Sequence, residues 1–307
     1  MKANIIKNSK WFLALSAIFI ALAVTSILFF GLKPGIDFKS GSMWQVRIPG
    51  ADEMVVRDFF ENDLQIDGPI ISYDPGTTSY SVIFKEVSDE EHRTYLDKMK
   101  EKFGVAAEEL DFGTTSPSVS SELRQKAVWI IVLSLVVMAL YVTFAFRKVS
   151  WPVKSYKYGI ITIIALAHDV VIAAGFFALL GYLKGATIDT NFIVALLTIA
   201  GFSSQDTIVI FDRIRENLLN SKGKGDISEI ANRSVNEVFR RSAITSVSIM
   251  LVLAAIAVLG PLSVRYFAMT MVVGLLFGTY SSIFVASPLL AMWHKFDASR
   301  SSSNTAK

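Results

Sequence analysis

The chain has 307 residues, of which 52% are apolar, and its mean hydropathy is positive. Its apolar blocks are too long for the helices of a water-soluble core, so it belongs with membrane proteins. With no cysteine it has no disulfide framework, thiolate metal site or thiol nucleophile, and nothing in the sequence assigns it a metal or a cofactor. The net charge of +3 does not mark a nucleic-acid binder, because the lysines and arginines cluster beside apolar blocks instead of forming a basic domain.

Lys2, Lys7 and Lys10 precede an apolar block from Trp11 to Leu32, ~22 residues and enough to cross the hydrocarbon core. The block exceeds the ~7–15 apolar residues of a signal peptide, and no clear A-x-A cleavage site precedes Lys33. The reading for 1–32 is a cytoplasmic N-terminus and an uncleaved first span. Lys33-Pro34-Gly35 stops that helix.

Residues 33–125 have the alternations of an α+β domain. Met43, Gln45 and Arg47 alternate with Trp44, Val46 and Ile48 at the period of a strand, which Pro49-Gly50 ends. Asp52 to Asp63 has helical spacing behind an acidic first turn. Pro69 to Tyr73 and Tyr80 to Phe84 read as strands joined through Asp74-Pro75-Gly76. Ser88, with Glu91 in the capping-box position, opens a helix through Phe103, and a last strand is expected around Glu108 to Gly113. The order β-α-β-β-α-β predicts a ferredoxin-like fold.

Residues 126–293 hold five more spans, at Ala127 to Phe146, Tyr158 to Leu183, Thr187 to Phe211, Ala243 to Leu259 and Tyr266 to Trp293. The whole is thus a polytopic α-helical membrane protein, six transmembrane helices plus an extracytoplasmic α+β domain between the first and second spans. The charges agree with that topology. Arg147, Lys148, Lys154 and Lys157 fill one connection with no acid among them, and Asp212 to Arg241 is rich in arginine and lysine. The connections predicted to lie outside, Gly181 to Asp189 and Gly260 to Arg265, are short and nearly uncharged, as the positive-inside rule requires. The tail, 294–307, reads as cytoplasmic and disordered, being serine-rich from Ser299. No repeat of ~20–50 residues is visible, which excludes a solenoid.

Ionisable residues inside the spans are the candidate functional groups, since Asp at the centre of an inserted helix costs about 2.5–3.5 kcal/mol. Asp206 lies ~9 Å inside if its span ends near Asp212. It reads either as an interfacial residue or as a proton-carrying group within a helix bundle, and the rest of the chain favours the second. Arg241 opens the next span from the same side, so it is expected at similar depth, either in a salt bridge or protonation-gated switch with Asp206 or snorkelling to the interface. His168-Asp169 lies ~16 Å deep in the third span, which makes Asp169 the more deeply buried carboxylate, for coupling or for a structural helix-to-helix hydrogen bond. Gly274-x-x-x-Gly278 followed by Ser281-Ser282 reads as a packing face. Thr245, Ser246 and Ser248 either hydrate a path beside Arg241 or bond their own backbone.

Four motifs carry a resemblance. Gly35-Ile36-Asp37-Phe38 with Ser40-Gly41-Ser42 follows the first span, and Ala167-His168-Asp169 lies in the third. Asp206-Thr207 is followed by Phe211-Asp212-Arg213-Ile214-Arg215-Glu216-Asn217, and Arg241-Ser242-Ala243-Ile244-Thr245-Ser246 comes last. In this order, on six spans with one outer domain, the chain resembles the SecF family of bacterial protein-export membrane proteins, in the SecD/SecF group of the RND superfamily, over essentially its whole length. There are departures. Ser40 and Ser42 stand where the family has glycine and threonine, and Phe202, Ser204 and Gln205 where it more often has tyrosine, an apolar residue and asparagine.

The resemblance implies a non-enzymatic subunit of the bacterial cytoplasmic (inner) membrane with both termini cytoplasmic. It implies SecD as partner, the SecYEG translocon as neighbour, YajC as a further companion and unfolded preproteins as cargo. It further implies that the proton-motive force, or sodium in some members, drives late translocation, with Asp206 carrying the proton, Arg241 as its charge partner and Asp169 in the same polar system. Two other classes stand beside it. An RND-like half-unit exporting lipids or drugs shares the architecture. An intramembrane protease would need Ser203 or Ser204 with His168, or Asp169 with Asp206, but neither serine stands in a G-x-S-G neighbourhood and neither aspartate in a G-x-G-D one.

Overall fold

The computed structural model describes residues 4–74, 77–147, 153–221 and 225–305. Lys2, Lys148, Lys307 and the Pro75-Gly76 part of the expected turn lie outside the described residues. Helix α1 (Ser9–Phe30) is the first apolar block, and it ends at Gly31 with φ +68°. The chain then makes a parallel bridge between Pro34 and Ile188 and one helical turn, α2 (Ile36–Lys39), before entering the sheet.

Strand β1 (Gly41–Arg47) shows the anticipated alternation, with Trp44 and Val46 fully enclosed. Helix α3 (Glu53–Asp58) is capped by Asp52, whose carboxylate accepts from the Val55 N–H at 2.9 Å, and it runs on into a π-helical turn, Phe59–Asp63. Strands β2 (Ile70–Asp74) and β3 (Ser79–Phe84) form the hairpin. Helix α4 (Asp89–Phe103) begins with the full capping box between Ser88 and Glu91, and β4 (Glu108–Thr115) closes the set. The strands pair antiparallel throughout in the order β2-β3-β1-β4, with Trp44 opposite Val82 on one side and Phe112 on the other. Trp44, Val46, Phe59, Phe60, Val82 and Met99 form the core on one face of the sheet. The other face, carrying Gln45, Ser72 and Ser81, overlies the helices and leaves a cavity of ≈ 80 Å³ against Phe177, Asp189 and Tyr266.

Five further long helical runs follow: α5 (Pro117–Ala145), α6 (Ser155–Lys184), α7 (Thr190–Asn220), α8 (Ile227–Leu259), and a last run made of α9 (Leu262–Ser281), a π-helical stretch (Ser282–Ala286) and α10 (Ser287–Thr305). With α1 these give, among the described residues, six helices long and apolar enough to cross a membrane. Close approach is bought by glycine. A Cβ on Gly175 of α6 would lie 2.5 Å from Ala23 of α1, and one on Gly274 of α9 would lie 2.2 Å from the Ile199 side chain of α7. The Gly274-x-x-x-Gly278 face is therefore occupied by α7, in keeping with a packing role.

Several boundaries differ from expectation. Helix α5 starts at Pro117 instead of Ala127, α7 continues past Phe211 to Asn220, and α8 starts at Ile227 instead of Ala243. Hydropathy marks only the part of a helix that suits lipid. Beyond it the helices are carried on by charged pairs one turn apart, Asp212 with Arg215 at 2.8 Å, Arg213 with Glu216 at 2.7 Å and Arg233 with Glu237 at 2.9 Å. The serine-rich tail expected to be disordered is helical as far as Thr305. Extending an existing helix avoids the cost of nucleation that the composition rule assumes for an isolated segment.

Candidate functional site

Asp206 lies on α7, partly buried, beside a cavity of ≈ 20 Å³ closed by α8 and α9, a space for about one water. The Thr279 hydroxyl of α9 donates to Asp206 Oδ2 at 3.2 Å, and the Ser246 hydroxyl of α8 stands 3.5 Å from the same oxygen and 2.6 Å from Thr279 Oγ1. A hydroxyl donates to a carboxylate and accepts from a carboxylic acid, so these partners serve either protonation state. The expected salt bridge is not formed: Arg241 is exposed and makes no ion pair among the described residues. The reason is register. The α8 residue that faces Asp206 is Ser246, ~7.5 Å further along the helix than Arg241 at 1.5 Å per residue. Thr245 bonds its own helix through the Arg241 carbonyl at 3.0 Å, and Ser248 does the same through Ile244 at 2.8 Å.

Asp169 on α6 is completely enclosed, at 0% exposure. Its Oδ1 lies 2.8 Å from His168 Nδ1, and its Oδ2 accepts from the hydroxyls of Ser203 on α7 at 2.5 Å and Ser281 on α9 at 2.8 Å. The other imidazole nitrogen, His168 Nε2, is buried without a partner among the described residues. Gly278 stands between the two carboxylates: a Cβ there would lie 3.6 Å from Asp169 Oδ2 and 3.2 Å from Ser203 Cβ, and Gly278 and Ser203 both line the Asp206 cavity. Thr207 points away from Asp206, its hydroxyl 2.9 Å from that of Ser282, which donates to the Gly278 carbonyl at 2.9 Å. Ser203 donates to Asp169 and Ser204 to the Gly201 carbonyl at 2.8 Å, so neither meets His168 in the manner of a serine nucleophile and its base. Among the described residues no group of three or more acidic or histidine side chains is placed to hold a metal.

The sequence reading missed Thr279 as a partner of Asp206 and placed Ser281 and Ser282 on a packing face. A run of hydroxyls from Thr279 to Ser282 within an apolar span was the available signal. A π-helical stretch, Ser282–Ala286, follows it directly, a distortion that is frequent beside functional groups.

The remaining motif residues gather at the two ends of the bundle. Gly35 is pressed against the turn between α6 and α7, where a Cβ would come within 3.0 Å of the Ile188 carbonyl oxygen. Asp37 Oδ2 accepts from the Thr190 N–H at 2.8 Å and the Thr190 hydroxyl at 2.7 Å, while Phe38 is buried. Gly41 has φ +131° and its Cβ would lie 2.5 Å from the Phe84 carbonyl oxygen, so only glycine fits. At the opposite end, Arg213 bonds Glu216 and, at 2.6 Å, Glu237 of α8. Asn217 donates to Ser234 Oγ and to Glu237, both at 2.9 Å, which ties the last turns of α7 to the first turns of α8.

Six apolar helices that hold two hydroxyl-bonded carboxylates beneath a small antiparallel sheet define a multi-pass membrane protein. The family model described as protein export membrane protein SecD/SecF, C-terminal, matches residues 95–296. The chain is 36% identical over 303 residues to the protein translocase subunit SecF of Thermobaculum terrenum, covering 93% of this chain and 92% of that one. It is 33% identical to SecF of Anaerolinea thermophila, covering 94% of each. The crystal structure of SecDF, a translocon-associated membrane protein from Thermus thermophilus, superposes with a TM-score of 0.82 at 32% identity, covering 96% of this chain and 39% of the SecDF chain. SecDF in its super-membrane-facing form gives 0.70 at 30% identity, covering 99% of this chain and 40% of that one. The chain belongs to the SecF family of protein translocase subunits, and with it to the protein-export machinery of the Sec pathway.

Proposed function

We propose that this chain is the SecF half of an ion-driven unit that, with SecD, uses the proton-motive force to assist late preprotein translocation through the SecYEG channel. The observation that carries this reading is Asp206: a carboxylate inside a span, beside a cavity for about one water, met by two hydroxyls and no cation. Such a group can take up and release a proton without leaving a buried partner unsatisfied. Asp169, with His168, Ser203 and Ser281, forms a second enclosed polar centre across Gly278. One charge crossing the field is worth about 2.3 kcal/mol per 100 mV, ample to bias a two-state motion.

In this reading the inner membrane holds the six spans with both termini cytoplasmic, which the basic connections at Arg147 to Lys157 and Asp212 to Arg241 support. The domain 33–125 lies on the outer side, 126–293 forms the remaining spans, and the strand order β2-β3-β1-β4 with two helices on one face supports a ferredoxin-like domain. YajC and unfolded preproteins complete the assembly. Arg241 is a cytoplasmic-side cation in this arrangement, with Ser246 and Thr279 taking the place beside Asp206 that the resemblance gave to arginine.

The test is preprotein translocation into vesicles carrying this chain and SecD, with and without a proton gradient, for wild type and Asp206→Asn. The expected outcome is loss of the gradient-dependent component with the complex still assembled. Translocation that keeps its full response to the gradient would move Asp206 to a structural role.

A further inference from the structure

The two helices that meet at Asp206 and Thr279 are α7 and α9. Each is gripped at its other end by a carboxylate from the sheet domain. At the start of α7, helical N–H groups have no partner within the helix. Asp189 takes the one on Phe192 at 2.8 Å, and Asp37 takes the N–H and the hydroxyl of Thr190. The stretch leading to Asp37 is stitched to the same turn. The Ile188 N–H donates to the Lys33 carbonyl at 2.8 Å, the Gly35 N–H to the Ile188 carbonyl at 2.9 Å, and Lys33 Nζ to the Gly181 carbonyl at 3.0 Å. At the start of α9, Arg265 pairs with Asp74, the fully enclosed last residue of β2.

No slack separates these grips from the sheet. Helix α2 carries Asp37 and ends at Lys39, and β1 begins at Gly41, which is locked against the Phe84 carbonyl. Asp74 is itself in a strand, held by the Thr77 hydroxyl at 2.6 Å. Below the grip, α7 is an unbroken helix from Thr190 to Asn220, so Asp206 lies ~24 Å along a rod that cannot shorten cheaply. Any displacement of the sheet domain is therefore delivered to the outer ends of the two helices whose middles hold Asp206 and Thr279.

We infer that Asp37 is a positioning residue that couples the sheet domain to the Asp206 site by holding the outer end of α7, as Asp74 of β2 holds α9 through Arg265. The inference rests on the proposed role of Asp206. It assigns a task to the outer Gly-x-Asp-Phe motif, whose residues are far from the intramembrane carboxylates and take no part in their hydrogen bonds.

The experiment uses the full chain with SecD in vesicles and four variants. Asp37→Ala removes the grip, whereas Asp37→Asn retains an oxygen that accepts both Thr190 donors. Thr190→Pro removes both donors and keeps the helix, because proline is favoured at the first helical position and Asp189 already has extended backbone angles. Asp206→Asn reports on the underlying reading. Amide exchange at Thr190, measured without a gradient, is expected to rise about fivefold in Asp37→Ala, the size of one lost cap, and to stay near wild type in Asp37→Asn. Asp37→Ala and Thr190→Pro are expected to lose the gradient-dependent part of translocation and keep the gradient-independent part, with Asp37→Asn restoring it. A merely structural role would lower both parts together, and that result overturns the coupling. If both uncoupling variants keep the gradient response while Asp206→Asn loses it, the grip is not the coupling element and the carboxylate reading stands. If Asp206→Asn keeps the response, the carboxylate reading fails and the inference falls with it.

Discussion

Removing the Asp169 carboxylate tests the second polar centre, and the structure fixes how much each substitution should cost. In Asp169→Leu, Ser281 keeps a bond to the Gly278 carbonyl at 3.1 Å, and Ser203 can turn to a carbonyl one helical turn back. His168 has no such recourse: Nε2 is already without a partner, and losing Asp169 strips Nδ1 as well. A buried imidazole with nothing to bond costs about 1–3 kcal/mol, and the two lost interhelical hydroxyl bonds add about 0.6 kcal/mol each. The sum is about 2–4 kcal/mol. In Asp169→Asn the amide oxygen can accept from both hydroxyls while the NH₂ faces Nδ1, provided the imidazole carries its proton on Nε2, so the loss is under about 1 kcal/mol. Equilibrium unfolding by SDS in mixed micelles reads both variants. Leucine as stable as wild type, or asparagine falling as far as leucine, would refute this account of the site.

Two further outcomes follow from the outer motif and the α6–α7 turn. Ser40 sits at φ +66°, ψ +161°, a region that costs a non-glycine residue about 1–3 kcal/mol, so Ser40→Gly should raise the unfolding midpoint; an unchanged or lower midpoint would contradict the strain. Burial, with the Asp37 carboxylate adding to it, pushes the Asp189 carboxyl above the usual carboxylate range. The folded state then holds that proton more tightly than the unfolded chain, so the penalty is complete above the folded pKa and is relieved as pH falls through it. Asp189→Asn, an equally good cap, should therefore be at least as stable as wild type near about pH 7 and lose that advantage by about pH 4. An advantage that does not change with pH in detergent unfolding would count against the buried charge.

The local pattern made the spans and the succession of strands and helices legible, because each element has its own signal: ~20 apolar residues for a span, alternation for β1, a capping box for α4. What escaped was set by relations between elements. The charged ends of α7 and α8 look like loop in a hydropathy scan, since what extends them is the pairing of Arg213 and Asn217 with Glu237. Arg241 opens its apolar block whereas Asp206 lies six residues inside its own, so the residue level with the carboxylate is found further into α8, at Ser246.

The grip of Asp37 on Thr190 had no periodic signal at all, joining residues from opposite halves of the chain. Only the glycines around it hinted at contact. Gly35 and Gly41 each allow an approach that a Cβ would block, one to the helical turn and one to the sheet, and Asp37 lies between them. A short motif with glycines at both ends and a carboxylate inside is thus legible as a joint once its two neighbours are known. The sequence states the requirement for close contact, and the fold supplies the partners.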